Sequence, residues 1–192
     1  MIYISIDTET CGLNPDEHTL LQFGAIIEDT EKKLPYDEIP KFEVLLESPV
    51  YCGTPFALSM HGELFKQLAL PEDKRTAQVI PSYELGERFA MWLVQNGVAK
   101  DLSKPITISV AGKNFGTFDM QFLLSQGSDW TNYIQISHRL LDPAMLFWDP
   151  IKDKRTPGME ECKIRAGFTE TTVAHTTLAD AWDVIQLLRT KY

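Results

Sequence analysis

Asp7 and Glu9 stand two residues apart in a short apolar run, IYISIDTET. In an extended strand, residues i and i+2 share a face, which sets the two carboxylates side by side. Like charges so placed repel, and next to a core they also lose hydration. A divalent cation removes both penalties. The same spacing recurs at Asp29 and Glu31, at a strand exit into water, so the pair alone does not define a metal site. Its position adds weight. A short apolar strand opening the chain reads as a central strand, where carboxylates need a reason.

Three further residues could join this pair. Asp119 sits between Phe118 and Met120 in FGTFDMQFLL. Taken alone it is an acid at a helix start, favoured by the helix dipole. His175 precedes the last amphipathic segment, and Asp180 lies within that segment's first turn and a half. Taken alone they are a loop histidine and another helix-start acid. Asp183, one turn on, reads as a solvated acid of the same helix. Together, four carboxylates and a histidine suit another chemistry. Hard ions such as Mg²⁺ prefer oxygen ligands. Two of them can clamp an in-line phosphoryl displacement, one activating water and the other stabilising the leaving oxygen. Histidine titrates near neutrality and can accept the proton of the attacking water.

The elements that must position these groups follow from hydrophobic periodicity. Residues 2–9 alternate as a strand, 20–28 form a mostly apolar strand, and 42–47 a third, which together make a meander. Helical spacing is predicted over 57–68 and over 82–95, the second stopped by Asn96 and Gly97. A β-branched strand covers 106–111. A turn and helix follow over 112–127, carrying Phe118, Phe122 and Leu123, and a strand covers 134–142. A short helix follows Pro143, and another reaches Ile164 after the charged loop 152–158. The last helix is capped by Thr176 or Thr177, and Leu178, Ala181, Trp182, Ile185 and Leu188 form its apolar stripe. This order predicts one α/β domain over residues 1–192 with a mixed sheet.

Composition narrows the function classes. The chain has 192 residues, 44% apolar and 23% charged, enough to bury a core without disulfide or metal staples. Its net charge is −9, and residues 1–50 hold 11 acids against 3 bases. Phosphate contacts need cations, so contact with nucleic acid must be local, at a short or single-stranded end. Cys11, Cys52 and Cys162 are odd in number and irregularly spaced, which argues against a disulfide framework, and no CxxC suggests zinc. No EF-hand loop is present, which argues against a structural Ca²⁺ protein. The N-terminus lacks the features of a signal peptide, and no apolar run approaches the ~18 residues of a membrane span. The expectation is a reduced, cytoplasmic protein with no membrane partner.

DTETCGL (7–13), GKNFGTFDMQFL (112–123) and HTTLADA (175–181) together resemble the three motifs of the DEDDh superfamily of 3′→5′ exonucleases, to which oligoribonuclease, ribonuclease T and bacterial proofreading epsilon subunits belong. The resemblance implies a ribonuclease H-like α/β fold, a mixed five-stranded sheet with helices on both faces. It implies two Mg²⁺ (or Mn²⁺) ions held by Asp7, Glu9, Asp119 and Asp180, with His175 as general base. In the family, the residues after the first acids contact the 3′-terminal nucleotide and a leucine there wedges against its base, which maps onto Thr10 and Leu13. SMHGELF resembles a family segment with a His–Gly pair, so His61 would bound the base pocket, and Phe118 would pack near the substrate. Ordinary loop or core packing is the alternative for these four. Cys11 stands where relatives often carry threonine or a similar small residue. The implied substrate is the 3′ end of single-stranded DNA or RNA, released as nucleoside 5′-monophosphates. Choosing between the two needs a 2′-OH contact that no residue here announces. Some relatives are dimers, so a homodimer is an option, with 152–165 as its surface. A catalytically silent nucleic-acid-binding or scaffolding module of the same fold is the competing reading, and the presence of all five catalytic positions argues against it.

Overall fold

The structure is a computed structural model that describes residues 1–126 and 129–192. Gly127, the expected end of one helical segment, lies outside the described residues. In chain order the elements are β1 (Ile2–Thr10), β2 (Leu20–Asp29), β3 (Lys41–Glu47), α1 (Pro55–Met60), α2 (Gly62–Ala69), β4 (Val79–Pro81), α3 (Leu85–Gln95), β5 (Ile106–Ile108), β6 (Val110–Ala111), α4 (Asp119–Gln126), α5 (Trp130–Tyr133), β7 (Ile134–Ile136), α6 (Ala144–Phe147), α7 (Met159–Ala166) and α8 (Thr177–Arg189). Among the described residues, no helix is long and apolar enough to cross a membrane.

The strands β1, β2 and β3 form the expected antiparallel meander. β4 adds parallel to β3 and β6 adds parallel to β1, giving a mixed five-stranded sheet in the order β4-β3-β2-β1-β6. β5 and β7 pair separately in parallel. Period-two alternation divides the sheet between two cores. Ile4 and Ile6, with Phe23, Ala25, Val44 and Leu46, pack against α3, α4 and α5 through Phe89, Phe122 and Trp130. The Trp130 and Phe89 rings stack with centroids 5.5 Å apart. On the other face Tyr3, Ile26 and Ala111 meet Ala181, Val184, Ile185 and Leu188 of α8. Each aliphatic side chain so buried contributes about 1.5–3 kcal/mol. Asp7 and Glu9 share this second face, the one α8 covers, by the same alternation.

Several sequence expectations need correction. The helix expected over 57–68 is two helices that break at His61, whose backbone (φ −92, ψ 24) leaves the helical region. β4 is missing from the sequence reading because three residues ending in Pro81 carry too little alternation. The 106–111 strand is interrupted at Ser109, where β5 turns to β7 and β6 to β1. The 134–142 strand ends at Ile136, and Leu141 rejoins the sheet as an isolated bridge to Ala111. Thr176 is the N-cap of α8, as expected, but it caps without a side-chain hydrogen bond, and the Thr177 hydroxyl donates to Glu43 at 3.0 Å.

Candidate active site

The site is built where α8 begins against the end of β1. Asp7 lies opposite Gly24 of β2, and Glu9 lies opposite Gln22. A Cβ at Gly24 would fall 2.4 Å from the Thr177 Cβ, so the missing side chain lets the first turn of α8 come down on the sheet. The Ser5 hydroxyl donates to the Ala181 carbonyl at 2.8 Å and fixes that approach. Asp180 is thereby carried over the Asp7–Glu9 face. Carboxylate oxygens of Asp7, Glu9 and Asp180 all lie within 4.8 Å of one another.

Asp119 arrives from the first turn of α4 and stands beside this trio rather than in it. Its Oδ1 accepts two hydrogen bonds from Thr8, one from the backbone N–H at 3.1 Å and one from the hydroxyl at 2.7 Å. Its charge still helps to push up both Asp7 and Glu9. His175 is exposed and takes a left-handed backbone (φ 53), which side-chain-bearing residues adopt at a cost. It lies two residues before α8 begins.

The electrostatics of the four acids are those of an uncompensated cluster. Glu9, Asp119 and Asp180 are buried, and Asp7 is half-buried. Burial, then the charges of Asp119, Asp180 and Glu9, hold the Asp7 carboxyl well above the usual carboxylate range. Burial and the neighbouring Asp180 and Asp119 push Glu9 to about 7. Burial pushes Asp119 to about 6 even with the Thr8 hydrogen bonds pulling it down. Burial also raises Asp180. Among the described residues, none of the four is ion-paired with a lysine or arginine. The nearest candidate cation is His61, whose Nε2 is 3.5 Å from Glu9 Oε2, yet burial lowers its imidazole below the ordinary value. His61 Nε2 and Asp180 Oδ1 are buried without a hydrogen-bond partner among the described residues. An all-oxygen donor set with surplus negative charge and an orphaned buried oxygen fits a hard divalent cation.

Asp183 departs from expectation. It is buried and paired with Lys163 at 2.8 Å, because α7 packs on α8 and delivers the ammonium group there. A pattern read along one helix gives no sign of a partner 20 residues upstream.

Thr10, Leu13, His61 and Phe118 line a single cavity of about 350 Å³ that also reaches Glu9. Thr54, Phe56 and Met60, which the sequence reading missed, complete its wall. Leu13 is 82% exposed and Phe56 76%, so both present apolar surface at the cavity. The available signal was Thr54–Pro55, a helix start in which the Thr54 hydroxyl accepts from the Ala57 N–H at 3.2 Å and which presents Phe56 outward. The Thr10 hydroxyl is engaged locally, donating to the Gly12 carbonyl at 2.7 Å, so it shapes the Leu13 turn. Cys11 is fully buried, and burial pushes its thiol to about 11, which makes it a packing residue.

No family model and no curated protein sequence matches the chain. Its fold is similar to that of E. coli Exonuclease I in complex with a dT13 oligonucleotide, with a TM-score of 0.60 at 15% identity over 98% of this chain and 40% of that one. The zinc-bound form of the E. coli ExoI–ssDNA complex gives 0.60 at 16% identity over 98% and 39%. S. pombe Pop2p in its Mg²⁺- and Mn²⁺-bound form gives 0.60 at 14% identity over 98% and 81%. The chain therefore spans about 40% of the length of the Exonuclease I chains. At these identities the likeness is one of fold, and it bears out the ribonuclease H-like α/β expectation.

Proposed function

We propose that residues 1–192 form one catalytic unit, a metal-dependent 3′→5′ exonuclease acting on single-stranded DNA or RNA or on short oligonucleotides. The observation that carries this reading is the buried, uncompensated cluster of Asp7, Glu9 and Asp180, with Asp119 beside it. These four carboxylates would hold two Mg²⁺ or Mn²⁺ ions, Asp119 through the oxygen that Thr8 leaves free. When bound, such ions neutralise the cluster and supply Lewis-acid stabilisation and an activated water at the scissile phosphate. The protein's own residues do the rest. His175 accepts the proton of the attacking water. The Leu13 turn, with Phe56, Met60 and Phe118, gives the terminal base an apolar surface on which any base can stack. Among the described residues the cavity's lining contains no lysine or arginine, so it suits a base rather than a phosphate. With the last base seated there, the phosphate at the acids is the last in the strand. That the fold is shared with an exonuclease described in complex with a dT13 oligonucleotide and with ssDNA, and with a protein described as Mg²⁺- and Mn²⁺-bound, supports the same reading.

The test is digestion of 5′-labelled single strands with each of Mg²⁺, Mn²⁺ and Ca²⁺. A ladder shortening from the 3′ end with the first two ions and a stall with Ca²⁺ is expected, with nucleoside 5′-monophosphates as product. Binding without turnover under all three would assign the chain to the silent-module alternative.

A further inference from the structure

The structure assigns Lys163 as a positioning residue for His175, an inference that rests on the exonuclease reading of the acid cluster. Lys163 is a buried lysine on α7. An ammonium group has three donors. Here one goes to Asp183 Oδ2 at 2.8 Å and another to the Thr172 carbonyl at 2.9 Å. The two acceptors stand on either side of His175 in the sequence. Asp183 is three residues past Asp180 on α8, and Thr172 is three residues before His175. A single cation thus ties α7, α8 and the segment that carries the proposed base.

Besides Lys163, a local turn holds the segment's start, where the Thr172 N–H donates to Glu170 Oε1 at 2.9 Å. Residues 171–175 form neither helix nor strand, and Thr172, Ala174, His175 and Thr176 are all exposed. The cap of α8 lacks a side-chain hydrogen bond. The left-handed backbone of His175 must be sustained by anchors at each end. The downstream anchor is the first turn of α8, where Asp180 N–H donates to the Thr176 carbonyl at 3.0 Å. The upstream anchor is Lys163. Beside it a cavity of about 390 Å³, lined in part by Lys163, Phe168, Glu170 and Asp183, leaves the segment room to collapse if released.

Stability alone is a poor reason for this arrangement. A buried ion pair gains little over apolar residues of similar volume, because both charges must be desolvated. An apolar pair could fill the α7–α8 contact equally well. It could not hold the Thr172 carbonyl. The bond to Thr172 is the feature that requires a cationic donor at this position.

The test uses the double replacement Lys163→Met/Asp183→Leu in the full chain, which removes the pair without stranding a charge. ¹⁵N relaxation is measured for residues 173–175, together with Mn²⁺ affinity by calorimetry and kcat and KM on a single-stranded oligonucleotide. In the wild type the amides of 173–175 should show order parameters near the rigid-backbone value of about 0.85, falling below about 0.6 in the variant. The kcat should fall about tenfold or more, up to the roughly 10²–10⁴-fold of a full general-base contribution, with KM and Mn²⁺ affinity unchanged. In a His175→Ala background the same double replacement should cost nothing further, since coupled residues are non-additive. Lys163→Arg, which keeps the charge, should restore most of the order. Low order parameters in the wild type overturn the inference whether or not the variant folds. So does an undiminished kcat loss in the His175→Ala background. A wild type with an ordered segment but no action on any nucleic acid would overturn the exonuclease reading and leave Lys163 as a structural pin alone.

Discussion

The sheet and α8 bury carboxylates at both ends, and the two ends are treated differently. At the C-terminal end of α8, Glu28 is fully buried, and Arg189 grips it with Nε at 2.8 Å and Nη2 at 2.6 Å. The Tyr192 hydroxyl adds a third hydrogen bond to it at 2.9 Å and is itself in contact with the Tyr3 hydroxyl. At the N-terminal end, Asp7, Glu9 and Asp180 crowd together with Asp119 beside them, and among the described residues no lysine or arginine pairs with any of the four. Desolvation penalises a carboxylate at either end. Where the acid serves the fold, the chain supplies the cation. Where the acids are left facing one another, the proposed divalent ions would supply the compensating charge. That contrast separates a structural ion pair from a site.

Breaking each end should fail in opposite ways. Asp7→Ala should bring turnover down to background while the metal-free protein stays as stable as wild type or more so, because one of several repelling charges has gone. Arg189→Met should cost about 3–5 kcal/mol of stability by stranding Glu28, with kcat intact for the molecules that remain folded. Urea unfolding and turnover measured on both variants check the pair. An Asp7→Ala protein as destabilised as Arg189→Met would erase the distinction.

The same contrast predicts a pH effect. Glu9 is raised in the folded state from 4.5 to about 7 and Asp119 from 3.8 to about 6. A raised carboxylate binds its proton more tightly folded than unfolded, so its contribution is present at low pH and is lost as pH climbs through this window. The melting temperature of the metal-free protein should therefore carry a component that declines between about pH 4.5 and 7. Glu9→Gln should flatten that decline, and Mg²⁺ or Mn²⁺ should reverse it most strongly at the upper end. Parallel pH curves for wild type and Glu9→Gln would contradict this account of the cluster.

The smallest expected effect lies in the cavity wall. Phe56→Ala should raise KM about tenfold, since a base stacked on an aromatic ring contributes about 1–3 kcal/mol, while the neighbouring acids leave kcat nearly untouched. Steady-state kinetics on a short oligonucleotide would read it, and an unchanged KM would remove Phe56 from the substrate surface.

What could be read from the sequence follows the range of each physical signal. The Asp7–Glu9 pair was legible because period two places both on one face, and α8 was legible from its apolar stripe. The meander was visible in three well-separated apolar runs. The break at His61 was not, because the apolar spacing runs on across it and only the observed backbone reveals two helices. Met60 was illegible as a wall residue, since an apolar residue in a short helix looks like core until its exposure is known. The Lys163–Asp183 pair joins two helices whose local patterns say nothing of each other. Asp119 was read as a ligand by resemblance, but its lock on Thr8 is a tertiary fact joining residues 111 apart.

The central claim is that this cluster removes nucleotides from a free 3′ end with the help of divalent ions. It is tested most directly by giving the protein, with Mg²⁺, a linear single strand and a covalently closed circle of the same sequence, and by analysing the products. The account predicts nucleoside 5′-monophosphates from the linear strand and an intact circle. Cleavage of the circle, or an intact linear strand, would contradict it.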